Sequence, residues 1–315
     1  MIYVIRKLIL VLAGMSVLLA NPAVADIVGG EEVQEPDPIR SSTIGLFTPS
    51  PGGQSGALCT ASIIGKGMAL TAAHCISPGG AKPILLFGRD IHAAETVKRA
   101  ATAVSVNPLW GKRQGKGMDE GDIALVKFAG PLPKGYRQVR LNRSDANLVK
   151  GRAAVLAGYG ISNAQTHSGA GILRKTSISI DNPRSGKSEM VLNQSHGRGA
   201  CHGDSGGPAF VNVGGKNVLA GVTNRSYPAH APDDCGHQVV YTKVNAYRSW
   251  IAKEEKSMRG SASAPAVLAM RSAGRHSKTR VLAHRSRAGR AVAQRAIRPA
   301  RAERHTHHSR RQRNR

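Results

Sequence analysis

Two short stretches of this chain hold residue types that can break an acyl bond. One is Cys201-His202-Gly203-Asp204-Ser205-Gly206-Gly207-Pro208, and the other, far upstream, is Thr71-Ala72-Ala73-His74-Cys75. A serine hydroxyl is a poor nucleophile at neutral pH, so acyl transfer needs a base that touches it, and an imidazole can take the proton and return it. The glycines around Ser205 leave backbone N–H groups free to face a developing oxyanion. A third group must orient the base and stabilise its charge. Asp122 is the candidate, because it opens the run Asp122-Ile123-Ala124-Leu125-Val126-Lys127-Phe128, where an acid at the mouth of a strand could be buried against the ring. Taken singly each residue is commonplace: His74 is one of 12 histidines, Asp122 could cap a strand and Ser205 could sit in a Gly-rich turn. Together, in one chain with cysteines beside both the histidine and the serine, they point to nucleophilic catalysis.

Such residues need a scaffold that brings distant segments together. Between Ile27 and about Glu255 the sequence runs in short alternating or β-branched stretches split by Gly, Pro and Asn, among them Ala57 to Ile64, Ala153 to Ala157, Lys175 to Ile180, Val218 to Val222 and Gln238 to Val244. Many short strands with turn signals predict an all-β barrel or sandwich. Val244 to Glu255 departs from this, since Tyr247, Trp250 and Ile251 fall three and four apart, the spacing of a closing helix with one apolar face.

The ends differ from the middle. Residues 1–25 carry Arg6 and Lys7, an apolar run from Leu8 to Ala20, and Ala23-Val24-Ala25, the pattern of a secretory signal peptide with a small-residue cleavage site. A membrane anchor is the other reading of that run, but it is shorter than the roughly 18 residues a span requires and ends at Asn21-Pro22. Export, to the periplasm or as a secreted protein, places the four cysteines where thiols pair. Four cysteines permit about three pairings, and the spacing favours Cys59 with Cys75 and Cys201 with Cys235, one bridge beside His74 and one beside Ser205. Metal catalysis has little support, for neither CxxC nor HExxH occurs, and no cofactor is implied. The net charge is +26, of which residues 257–315 contribute +15. That tail has too little apolar bulk to offset the entropy of folding and is expected to be disordered alone. It should attract an anionic surface, whether lipid headgroups, polysaccharide or nucleic acid, without sequence specificity.

The chain resembles the chymotrypsin-like (trypsin family) serine proteases from Ile27 to about Ile251. The landmarks are Ile27-Val28-Gly29-Gly30, Thr71-Ala72-Ala73-His74-Cys75, Asp122-Ile123-Ala124-Leu125, Ala157-Gly158-Tyr159-Gly160, Gly203-Asp204-Ser205-Gly206-Gly207-Pro208, and Tyr241-Thr242-Lys243-Val244 followed by Trp250-Ile251. The resemblance implies two six-stranded antiparallel β-barrels, with His74 and Asp122 from the first and Ser205 from the second, then a C-terminal helix and the disordered basic tail. The organisation expected is a signal peptide at 1–25, a protease domain at 26–256 and the tail at 257–315. It implies a protein or peptide substrate, Ser205 as nucleophile, His74 as base, Asp122 as the group that fixes the tautomer, and an oxyanion hole from the N–H groups of Gly203 and Ser205.

In that family, cleavage before the Ile-Val-Gly-Gly segment frees an amine that pairs with the acid preceding the nucleophile, here Ile27 and Asp204. Signal cleavage after Ala25 would leave Asp26 in front of Ile27, a minimal zymogen. The resemblance places the specificity pocket at Gly199, Ser226 and Val239. Gly199 brings no acid to the floor, and Ser226 and Val239 narrow the walls, so small or medium apolar residues before the scissile bond are expected. Asn224 and Arg225 depart from the family pattern, and Arg225 reads as a solvated rim charge, while Asp233 and Asp234 could supply a negative rim. Met190-Val191-Leu192 lacks the cysteine of a third bridge common in the family. A competing reading keeps the fold only as the scaffold of a cationic surface-binding protein. Inactivated relatives of such folds usually lose a triad residue, and none is missing here.

Overall fold

The computed structural model describes residues 27–53, 55–76, 81–112, 120–228 and 235–260. The signal peptide expected at residues 1–25, Asp26, Asp233, Asp234 and the residues beyond Gly260 lie outside the described residues. Among the described residues no helix is long and apolar enough to cross a membrane.

Among the described residues the chain forms 14 strands and one α-helix. Strand β1 (Glu31–Glu32) precedes β2 (Thr43–Pro49), β3 (Gly56–Gly65), β4 (Met68–Thr71), β5 (Ile84–Phe87), β6 (Val97–Val106) and β7 (Ala124–Phe128). The last six close into an antiparallel barrel in the order β2-β3-β4-β7-β6-β5. Register slips between Ile63 and Gly65 and between Ala101 and Ala103 supply the bends that closure needs.

After β8 (Arg140–Leu141), a linker strand, come β9 (Ala153–Gly158), β10 (Arg174–Asn182), β11 (Glu189–Asn193), β12 (Pro208–Val213), β13 (Lys216–Tyr227) and β14 (Gln238–Lys243). Their order β9-β10-β11-β14-β13-β12, with β12 pairing back to β9, makes the second six-stranded barrel. Alternation is visible along β10, where Thr176, Ile178 and Ile180 face inward between more exposed neighbours. Strands β12 and β13 meet in a two-residue turn whose Gly214 and Gly215 both take positive φ, as the turn that matches strand twist requires.

Each barrel fills with its own apolar side chains. Ile44, Leu46, Ile63, Leu70, Leu85 and Val126 occupy the first, and Leu156, Ile178, Met190, Val211 and Tyr241 the second. A buried Leu or Ile contributes roughly 1.5–3 kcal/mol through the area it removes from water. Tyr159, Phe210 and Leu219, which belong to the second half, pack into the first cluster and join the barrels.

The two ends of the folded region cross over. β1, at the N-terminal end, pairs with β10 of the second barrel, whereas helix α1 (Arg248–Gly260), at the C-terminal end, packs on the first. A 3₁₀ turn at Val244–Tyr247 precedes α1, so the helical segment starts where the periodicity places it but continues beyond Glu255. Tertiary partners extend it: Met258 is buried, Lys127 Nζ donates to the Met258 carbonyl, and Arg259 pairs with Glu255 one turn back. Composition alone placed the tail from Ser257, because Arg, Ser and Gly carry no sign of these contacts.

Candidate active site

The loop before β7 sets Asp122. Gly121 takes φ +83°, and a Cβ there would meet the Trp110 nitrogen at 2.6 Å. Its N–H donates to the Tyr247 hydroxyl at 2.8 Å, and its carbonyl accepts from Ile123 N at 2.7 Å. Asp122 is thereby fixed in the interior, fully buried. His74 lies in the 3₁₀ turn Ala73–Cys75 after β4, with its side chain about a third exposed. Asp122 Oδ1 accepts the His74 backbone N–H at 3.0 Å, and Oδ2 lies 2.8 Å from Nδ1. One carboxylate thus fixes both the backbone and the ring. With Nδ1–H donating to Oδ2, the lone pair of the neutral ring is left on Nε2.

Ser205 comes from the second barrel, in the turn before β12. Thr60 of β3 reaches across to this turn two ways: its N–H donates to the Ser205 carbonyl at 2.8 Å and its hydroxyl donates to the Gly203 carbonyl at 3.0 Å, while the same oxygen accepts from Tyr159 N, just after β9, at 3.1 Å. The Cys59–Cys75 disulfide binds β3 to the histidine turn, and the Cys75 sulfur lies 3.6 Å from the Ser205 carbonyl oxygen. The backbone of Ser205 is therefore seated against the residue that follows His74. Gly206, at φ +79°, makes the approach possible, because a Cβ there would fall 2.0 Å from Thr71 Oγ1 and 2.5 Å from the Thr60 carbonyl. Among the described residues, neither the Gly203 nor the Ser205 N–H donates to any acceptor. Gly203 has φ +96°.

Asp204 points into the protein. Its Oδ1 accepts from Gly160 N at 2.8 Å and its Oδ2 from Cys201 N at 2.9 Å. Cβ atoms on Gly158 or Gly160 would lie 2.1 Å and 2.6 Å from its carboxyl group, which is why the glycines of Ala157-Gly158-Tyr159-Gly160 must be glycines. Burial pushes the Asp204 carboxyl up to about 7, opposed by the two N–H bonds and by the charges of Arg174 and His202. Ile27 is buried, and the Val28 carbonyl accepts from Gly199 N at 2.7 Å, so the N-terminal segment lies against the loop that precedes Cys201. No hydrogen bond or ion pair joins Ile27 to Asp204 in this form of the chain.

Beside Ser205 opens a pocket of about 200 Å³, lined by Ala200, His202, Asn224, Arg225, Ser226 and Val239 among others. No described carboxylate lines it. Ser226 and Val239 are cross-strand partners in β13 and β14. Gly199, expected at the floor, is not among the residues that line this pocket. A Cβ on it would fall 2.1 Å from Gln194 Oε1, and Gln194 is fully buried, donating to the carbonyls of Ala200 and Cys235 at 3.3 Å and 2.8 Å and accepting from Ala200 N at 3.1 Å. A neutral amide thus occupies the space that a side chain at position 199 would need. The second disulfide, Cys201–Cys235, ties the serine turn to the loop after β13.

Arg225 differs from its reading as a solvated rim charge. Its guanidinium grips Glu189 with two hydrogen bonds, at 2.8 Å and 3.2 Å, and Glu189 is only 2% exposed. The two residues lie on strands that flank β14, and a buried carboxylate requires a paired cation. Glu189, Gln194, Thr60 and Tyr247 were not among the sequence candidates. Their roles depend on partners distant along the chain; the helical spacing marks the apolar ring of Tyr247 but not the contact of its hydroxyl with Gly121.

Residues 27–251 match the model of the family described as Trypsin. The chain is similar to a chymotrypsin of Phaedon cochleariae, 29% identical over 244 residues that span 72% of this chain and 81% of the relative. It is similar to coagulation factor IX of Cavia porcellus, 29% identical over 222 residues, 63% of this chain and 73% of the relative. In fold it is similar to neuropsin, a serine protease of mouse brain, with a TM-score of 0.58 at 20% identity over 72% of this chain and 98% of that one. A collagenase structure matches with a TM-score of 0.58 at 22% identity over 73% of this chain and 98% of that one.

Proposed function

The chain belongs to the trypsin family of serine peptidases, and we propose that it is an exported endopeptidase in which Ser205, His74 and Asp122 do the chemistry. Ser205 Oγ attacks the peptide carbonyl, and His74 Nε2 takes its proton and passes it to the leaving amine. Asp122 holds the ring and stabilises the imidazolium, and the N–H groups of Gly203 and Ser205 receive the oxyanion. The observation that supports this most is the double hold of Asp122 on His74 beside a serine turn seated on the same segment.

Activation follows from the burial of Asp204. Its ordinary value is 3.8 and its folded value about 7, so over that interval the native state holds a proton that the unfolded chain releases. For an acid raised in the folded state, stability is full below the unfolded value and is lost as pH rises through the folded one. Cleavage before Ile27 frees an amine that gives the carboxylate a cation, orders the serine turn and removes the penalty. The expected result concerns the Ser205→Ala chain, which cannot digest itself. With residues preceding Ile27 attached it loses stability between about pH 4 and pH 7, by up to about 1.4 kcal/mol per unit, whereas the form beginning at Ile27 does not. Thermal unfolding across that range measures the slopes; equal slopes, or an active protein whose N-terminus is Asp26, would overturn the proposal.

Substrate preference follows from the pocket. It is small, holds Val239 in its wall and has a neutral amide behind its floor. We expect peptides with Ala, Val or Leu before the scissile bond to be cleaved with kcat/KM at least about tenfold above those with Phe or Arg. Assay of a matched peptide series measures this, and a dominant preference for Arg would refute it. The signal peptide and both disulfides support export to an oxidising space, secreted or periplasmic. The basic tail would then hold the enzyme at an anionic surface.

A further inference from the structure

The linker between the barrels lies in a furrow that contributes nothing to the site beside Ser205. Two contiguous grooves, of about 690 and 820 Å³, share Gln138, Val139, Arg140 and Lys216. Their walls carry five cations, Arg137, Arg140, Arg143, Lys216 and Arg248, all exposed, and no Asp or Glu. Among the described residues, none of the five has a carboxylate within 4.0 Å. Elsewhere the scarce acids are taken: Glu35 by Arg40, Asp181 by Lys150, Asp37 by Lys175, Glu189 by Arg225 and Glu255 by Arg259. Even Asp145, two residues from Arg143, turns to Lys243 and Asn245.

The cations stand on a fixed track. Arg137 N donates to the Ser41 carbonyl at 2.7 Å, Val139 N to Ile63 at 2.9 Å and Asn142 N to Leu219 at 2.8 Å, while β8 pairs in parallel with β13. Along an extended segment, every third residue advances about 10 Å, so Arg137, Arg140 and Arg143 repeat their charge at regular intervals. Side-chain amides of Gln138, Asn212 and Asn217 stand between them, suited to hydroxyl groups. The one aromatic residue in the walls, Phe210, is buried, so no platform exists on which bases could stack.

We propose that this furrow is a binding site for a linear acidic polysaccharide, whose sulfates or carboxylates pair with the five cations and whose hydroxyls meet the amides. The test uses the processed protein, Ile27 to Arg315, with the tail attached so that it contributes equally to every protein compared. The triple variant Arg140→Gln, Arg143→Gln, Arg248→Gln is set against a charge-matched control, Lys66→Gln, Lys98→Gln, Arg184→Gln, whose side chains lie outside the grooves. Binding of dextran sulfate is measured over a range of salt, with short-peptide hydrolysis checking that each protein folds. The groove variant should bind about tenfold more weakly, with a salt slope shallower by about 2, and the control should move far less. Equal losses in the two variants would reduce the interaction to bulk charge and overturn the site. A single-stranded oligodeoxynucleotide whose binding depends on the groove as strongly as that of dextran sulfate would overturn the choice of occupant.

Discussion

Replacing Ser205 with alanine is expected to leave a protein that unfolds at an unchanged temperature and hydrolyses peptides about 10⁶-fold more slowly, the scale seen when the nucleophile of such a triad is removed. The fold is indifferent to the hydroxyl because what seats this turn is backbone: the Ser205 carbonyl on Thr60 N, Gly206 N on the Thr223 carbonyl, and Gly207 N on the Asp204 carbonyl. Alanine keeps all three. The Gly203 and Ser205 N–H groups remain in place, so peptide binding should persist while kcat collapses. Peptide-binding affinity, kcat and a melting curve on the same preparation make the measurement. Turnover within tenfold of the parent would remove Ser205 from the mechanism.

Asp122→Asn should lower kcat by about 10⁴, the loss measured for the equivalent change in the worked serine-protease triad. The reason lies in the two separate acceptors of this carboxylate. Asn can still accept the His74 backbone N–H with its carbonyl oxygen, which lies 3.0 Å away, so the turn should keep its shape. At the position of Oδ2, 2.8 Å from Nδ1, it presents an NH₂ group instead. A donor there selects the ring tautomer with its proton on Nε2, and a ring protonated on that side cannot take one from serine. The expected signature is a fall in kcat with little change in KM and in melting temperature. A variant that retains a tenth of the parent's activity would show that the ring needs no carboxylate to orient it.

What the sequence made legible was whatever depends on short range. Apolar runs such as Ala57 to Ile64 and Lys175 to Ile180 grew by one or two residues into β3 and β10, because alternation and β-branching are local properties. The bridge beside His74 and the bridge beside Ser205 could be anticipated because each joins segments close in sequence, 16 and 34 residues apart. Contacts that span the whole molecule were not legible. Thr60 meets Gly203 across 143 positions, and Gly121 meets Tyr247 across 126. No local pattern pairs Thr60 with Gly203 or Gly121 with Tyr247. Arg225 is the sharpest instance: an arginine in a strand near the cleft is ordinarily solvated, and only the three-strand arrangement brings buried Glu189 under it. The end of α1 shows the same physics, since Met258 is held by Lys127 of β7 and Arg259 by Glu255 of the preceding turn, contacts that composition does not display.

The crossing of the two ends of the folded region makes its halves mutual fasteners. Each lobe is strapped by a segment from the far end of the described fold, so neither completes its surface until both β1 and α1 are in place. Loosening the helix would strip the cover from Ile251 and Met258 and release Tyr247 from the loop that carries Asp122, a defect reaching the reactive centre from its far side. Damage to α1 is thus expected to reach the imidazole through Tyr247 and Gly121.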